Sequence, residues 1–235
     1  DPGLYRGDPA TVWWTRPGLD RDVEDSSGRR FRVATDGNGF RGEGPPSSGE
    51  WWLALGCSTT FGWGVEAGEA WPARLSERLG VPVVNGGVPG WSTHQAVLGL
   101  EDWLDLEPSA VIFSYIVRDA QGAARPDHLA TPTPWLHRLQ LVRLFSGGIR
   151  AGDRSPQAGQ GHRVPPERFA RNMARLLELA EGARHVILSF PQLEPSPEHQ
   201  KVLAGHGALQ IPTFVEADFL EGDPIHLTGE GHWKL

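Results

Sequence analysis

The stretch Leu53-Ala54-Leu55-Gly56-Cys57-Ser58-Thr59-Thr60-Phe61-Gly62-Trp63-Gly64-Val65 starts as an apolar run and breaks at a glycine just before a serine and two threonines. A short run without polar alternation is what a strand buried on both faces requires, and such strands belong to parallel sheets covered by helices. Similar runs recur at residues 81–84, 110–115, 185–190 and, more weakly, 209–215. Helical patterns fill the intervals. Trp71, Leu75 and Leu79 repeat within residues 69–79; Ala96, Leu98, Leu100, Trp103 and Leu104 precede a stop at Pro108; Phe169, Met173, Leu176, Leu177 and Ala180 follow Pro165 and Pro166. Both prolines suit a first helical turn. This alternation predicts an α/β domain with a parallel sheet of roughly five strands and helices on both faces.

Residues 1–48 fall outside the alternation. They are rich in Gly, Pro and charge, with strand-like pieces at 11–15 and 31–35, and read as an extension packed on a main domain of residues 49–235. Residues 120–161 form a second irregular region, punctuated by Gly147-Gly148 and Gly159 to Gly161. An insertion after the third strand of the alternation belongs above the carboxyl ends of the sheet, where substrate loops lie. Within it, residues 138–150 read as an amphipathic helix with a wet face.

The composition excludes several classes of function. A net charge of −7 and a pI near 5.7, without clustered Lys or Arg, exclude a nucleic-acid partner. Cys57 is the one cysteine, so neither an internal disulfide nor a cysteine-based zinc site can form. Nine histidines occur without an H-x-H or H-E-x-x-H arrangement, so no metal site is expected. No apolar run of membrane-spanning length and no signal-peptide pattern is present. The abrupt start at Asp1 and the end at Leu235 read as a trimmed chain.

Three local features carry chemistry. Ser58 follows a strand end at the edge of the sheet where α/β active sites form. Asp223 and His226, three residues apart, can supply a base for a serine hydroxyl and a carboxylate to orient that base. Val84-Asn85-Gly86-Gly87-Val88-Pro89-Gly90 is another strand end followed by glycines whose N–H groups can face a developing oxyanion. Taken singly, each also reads as an ordinary turn, cap or surface histidine. Taken together, all three should fall at one end of one sheet.

These blocks, in this order, resemble the SGNH/GDSL hydrolase family. The GDS-type block is matched by Gly56-Cys57-Ser58 with Thr60-Phe61-Gly62, the glycine block by Asn85-Gly86-Gly87-Val88-Pro89-Gly90, and the D-x-x-H block by Asp223 to His226. Thr35-Asp36-Gly37-Asn38-Gly39-Phe40-Arg41-Gly42 is similar to members carrying a leading extension. The resemblance implies a flavodoxin-like three-layer α/β/α sandwich and a serine esterase. Ser58 would be its nucleophile, His226 its base, Asp223 the orienting acid, and the N–H groups of Ser58 and Gly87 its oxyanion donors. It further implies a small-molecule or saccharide acyl ester as substrate, no cofactor, and an extracytoplasmic or membrane-anchored location in a longer chain. Trp63, beside the nucleophile, is expected to line the pocket, while His232 reads as structural.

Two residues depart from the family pattern. Cys57 stands where the family has Asp, and a buried thiol beside a strand end reads as a small hydrophobe. Arg118 stands where a third block normally offers an asparagine to the oxyanion. It can donate to the oxyanion itself, bind an anionic group of the substrate, or pair with a neighbouring acid. Acyl transfer to an acceptor such as a saccharide would use the same residues. A silent binding domain would keep the fold without needing Ser58, Asp223 and His226 together.

Overall fold

The computed structural model describes residues 3–123, 126–130, 161–190, 196–211 and 213–235. At its centre lies a parallel sheet of five strands, β5 (Trp52–Gly56), β6 (Val83–Gly87), β7 (Ala110–Ser114), β8 (Arg184–Ser189) and β9 (Leu209–Gln210), in the order β6-β5-β7-β8-β9. Leu53, Ala54, Leu55 and Val111 are fully buried and Phe113 nearly so, as strands covered on both faces must be. Eight helices are seen among the described residues, numbered here in chain order: α1 (Ser58–Phe61), α2 (Trp71–Leu79), α3 (Thr93–Leu104), α4 (Ile116–Asp119), α5 (Asp127–Ala130), α6 (Pro166–Leu179), α7 (Pro197–Gly205) and α8 (Gly229–Trp233). Helix α2 packs with β6 and α8, while α3 packs with α6, giving the three-layer α/β/α sandwich expected from the sequence.

Pro166 occupies the first turn of α6, and Ser92 caps α3 in a reciprocal box with Gln95. The predicted helices thus form within a few residues of their expected bounds. The fifth run is the exception, since 209–215 shrinks to the two paired residues of β9. Pro212 lacks the N–H a ladder needs, and the Val215 N–H donates to Asp218 Oδ2 at 2.7 Å instead. The helix expected at 138–150 lies outside the described residues.

The sheet order places a topological switch between β5 and β7. The chain leaves β5 toward β6 on one side and then crosses to β7 on the other, which opens a crevice above the carboxyl ends of these strands. Before the sheet come two antiparallel hairpins, β1 (Tyr5–Asp8) with β2 (Val12–Thr15), and β3 (Asp20–Glu24) with β4 (Arg30–Ala34). Leu4, Val23, Phe31 and Val33 close over Phe61 of α1 in a small second core. Arg41 reaches the sheet, its N–H donating to Asn85 O at 2.9 Å and its guanidinium lying 4.5 Å from the Phe61 ring.

Candidate active site

Ser58 is the first residue of α1, immediately beyond β5. The turn is tight because Gly56 has no side chain: a Cβ there would overlap Thr60 Oγ1 and Ser114 O. Gly62 then reverses the chain with φ +76°, a left-handed conformation that glycine adopts without penalty. The Ser58 side chain is largely buried, and its N–H donates to no acceptor among the described residues.

The second piece arrives from the other end of the chain. Asp223 Oδ1 accepts the N–H groups of Ile225 at 2.9 Å and His226 at 3.0 Å, which folds residues 223–226 into a closed turn. Asp223 Oδ2 lies 2.6 Å from His226 Nδ1, and His226 Nε2 lies 2.8 Å from Ser58 Oγ. With Nδ1 protonated toward the carboxylate, Nε2 is left to accept the serine proton. Burial pushes the Asp223 carboxyl up, but hydrogen bonds from the His226 ring and from the two turn N–H groups outweigh it and hold the acid below its ordinary range. Asp223 is therefore an anion at neutral pH.

Ser58 and His226 open onto a pocket of about 230 Å³. Trp63, Pro89 and Ile225 give it apolar walls, Arg118 and Gln121 a polar side, and Tyr5 of β1 closes it from the hairpin. Arg118 Nη1 donates to Gln121 Oε1 at 2.7 Å, its Nε is buried without an acceptor, and no carboxylate pairs with it among the described residues. Burial and the nearby Arg163 charge hold the guanidinium below its ordinary range.

Gly87 is where the structure corrects the sequence reading. It is the last residue of β6, its N–H donates to Asn85 Oδ1 at 3.0 Å, and a Cβ on it would overlap the Phe61 backbone N. Its missing side chain lets α1 lie directly on β6, and it does not line the pocket. Gly90 does, with φ +87° and an N–H that donates to no acceptor among the described residues. The Pro89-Gly90 dipeptide was the available sign, since proline followed by glycine marks a turn whose second residue needs positive φ.

Residues 54–234 match the GDSL-like Lipase/Acylhydrolase family. The chain belongs to that family. This GDSL-like chain is also similar in fold to a protein assigned to a G-D-S-L lipolytic family from Desulfitobacterium hafniense DCB-2, with 16% identity, a TM-score of 0.50, and 79% of this chain and 94% of that one covered. An acetylxylan esterase from Geobacillus stearothermophilus aligns at 15% identity and a TM-score of 0.44, with 80% and 91% covered. A psychrotrophic esterase from Pseudoalteromonas sp. aligns at 14% identity and a TM-score of 0.48, with 78% and 91% covered. No curated protein matches the sequence.

The GDSL-like chain is a serine esterase of the SGNH type, and its remaining polar residues near the site are structural in their contacts. His232 is buried and accepts the Trp71 N–H at 3.2 Å on Nδ1; burial, then the neighbouring His226 and Arg74, push its pKa down to about 3. Cys57 is buried with its Sγ 3.4 Å from Thr59 Oγ1, and it does not line the pocket. Asp119 is buried against Thr93, bonded to both its N–H and its Oγ1, and burial pushes this carboxyl up to about 7. Among the described residues no group of His, Cys, Asp and Glu could hold a metal, and no helix is long and apolar enough to cross a membrane.

Proposed function

We propose that this chain hydrolyses a carboxylic ester of a short acyl group through an acyl-enzyme on Ser58. The observation that carries the reading is the continuous hydrogen-bonded row of Asp223, His226 and Ser58, whose last two members line the pocket. His226 Nε2 takes the Ser58 proton as Oγ attacks the ester carbonyl, and the resulting imidazolium is held by Asp223. His226 then returns that proton to the leaving alcohol. Water, deprotonated by the same nitrogen, releases the acid and restores Ser58.

The N–H groups of Ser58 and Gly90 are the backbone donors to the oxyanion. Both are unspent among the described residues, and Ser58 and Gly90 both line the pocket, which supports this assignment. Arg118 is the third donor, its Nη2 lying 3.7 Å from where a Gly90 Cβ would stand. A volume of about 230 Å³ is below that of sites for drug-sized ligands and supports a short acyl group. In this reading residues 1–48 are an extension that supplies one wall of the pocket, and residues 49–235 carry the reaction.

The test is covalent labelling. A fluorophosphonate is expected to add one phosphonyl group at Ser58, located by peptide mass spectrometry, and folded protein that stays unlabelled would refute the nucleophile. Arg118→Ala is expected to lower kcat by roughly 100- to 1000-fold on a neutral acetyl ester and a hemisuccinate ester alike. A loss confined to the hemisuccinate would assign the guanidinium to a substrate anion. Unchanged rates on both would remove it from the chemistry.

A further inference from the structure

The pocket's backbone donor, Gly90, stands on a loop tied to the sheet two residues earlier, where the Val88 N–H donates to Gly56 O at 3.0 Å. It lies beyond β6 and before α3, and a glycine at φ +87° resists rotation of its two flanking peptide planes less than any other residue. Two side chains from outside the sheet hold those planes. Trp13 Nε1, on β2 of the leading hairpin, donates to Pro89 O at 3.1 Å. Arg163 Nη2 donates to Gly90 O at 3.0 Å.

Peptide geometry turns the first of these bonds into a catalytic constraint. Pro89 C=O and Gly90 N–H belong to one planar trans peptide and point in opposite directions. Anchoring the carbonyl on the indole therefore aims the N–H away from the hairpin and leaves it free for the pocket. The indole also packs close against the glycine: a Cβ at Gly90 would stand 3.1 Å from Trp13 Cζ2.

The clamp is itself braced. Trp91 Nε1 donates back to Trp13 O at 3.0 Å, so the loop and β2 hold each other reciprocally. Trp14 packs its ring 4.9 Å from Trp91 and 4.6 Å from Trp103 of α3. Just before Trp13, Val12 takes φ +76°, a conformation costing roughly 1–2 kcal/mol for a residue with a Cβ. Asp8 Oδ1 closes that turn by accepting from Ala10 N, Thr11 N and Thr11 Oγ1. On the other flank Arg163 is fixed by Asp127 at 3.1 and 2.7 Å, and Asp127 by Ser92 Oγ at 2.7 Å.

We propose that Trp13 is a positioning residue for the ester hydrolysis, holding the Pro89-Gly90 peptide plane so that the Gly90 N–H faces the oxyanion, and that the β1–β2 hairpin is thereby part of the active site. The inference rests on the reading of Ser58 as nucleophile and Gly90 as donor. A misaimed donor weakens the transition state more than the ground state, so kcat falls while KM holds.

Trp13→Phe keeps an aromatic ring and deletes the N–H; replacing Trp13 by β-(3-benzothienyl)alanine deletes the N–H from a near-isosteric ring. Rates are taken per folded site, counted by fluorophosphonate titration. Both variants are expected to lose roughly tenfold or more in kcat with KM within about twofold. Affinity for a boronic acid that forms a tetrahedral adduct on Ser58 is expected to fall in parallel with kcat. Trp52→Phe, the same change at the far end of β5, is expected to leave both unaltered. If kcat and boronate affinity of both Trp13 variants stay within about twofold of wild type while Ser58→Ala is inactive, Trp13 is only a packing residue. Full turnover by Ser58→Ala would instead overturn the underlying reading and the inference with it.

Discussion

Ser58→Ala, with Cys57 left in place, is expected to lower turnover of an activated acetyl ester by roughly 10⁴- to 10⁶-fold, without a measurable change in thermal unfolding. The size of the loss follows from what remains. The oxyanion donors and the pocket can still bind and polarise the carbonyl, but His226 Nε2 has lost the hydroxyl it activates, since its partner among the described residues is Ser58 Oγ. Cys57 cannot substitute, because its thiol is buried beside Thr59 and does not line the pocket. Activity per folded molecule, followed with p-nitrophenyl acetate and checked against circular dichroism, decides the matter. A residual rate above about a hundredth of wild type would mean that some other group attacks the ester.

Much of this arrangement could be read from the chain because it is locally encoded. Leu53-Ala54-Leu55 can be little other than a strand buried on both faces, and Gly56 then Ser58 must sit at its end. Asp223 and His226 are three residues apart, so the turn that joins them needs no long-range information. Elements with weak patterns were less legible. Strands β1 and β3 carry Arg and Asp at about half of their positions, and α7 has little amphipathic contrast, so no periodicity announces them. Their order comes from pairing with β2 and β4 and from packing on α6.

The error at Gly87 has a different origin. A glycine at a strand end serves either to expose an N–H or to admit a neighbouring backbone, and sequence does not separate the two. Here α1 lies across β6, Asn85 Nδ2 ties Thr60 O at 2.8 Å, and Gly87 is the space that α1 fills. The open N–H comes three residues later. Tyr5 and Trp13 were unreadable as site residues for a related reason, since each reaches the pocket or its loop from a hairpin far away in the chain. Arg118 was legible only as an anomaly. Its location beside Gly90, without a paired carboxylate among the described residues, removes the support for a purely structural ion pair.

Asp223→Asn is expected to lower kcat by roughly 10⁴-fold at neutral pH, close to the effect of removing the base itself. The loss follows from the way the amide must face. In the wild-type turn Oδ1 accepts the N–H groups of Ile225 and His226, so an asparagine that preserves the turn must keep its carbonyl oxygen there. Its NH₂ then faces His226 Nδ1, which can receive that hydrogen bond only as an unprotonated nitrogen. The imidazole proton moves to Nε2, and the atom facing Ser58 Oγ becomes a donor that cannot accept the serine proton. The substitution also removes a carboxylate whose hydrogen bonds keep it ionised, so the imidazolium formed during attack loses its counter-charge. Fold and turn should survive, because both backbone bonds to the side-chain oxygen remain. The check is kcat for an acetyl ester together with the rate of fluorophosphonate labelling, both expected to fall, while the midpoint of urea unfolding moves little. A variant within about tenfold of wild type in both rates would show that Asp223 neither sets the tautomer nor stabilises the cation, and that another group orients His226.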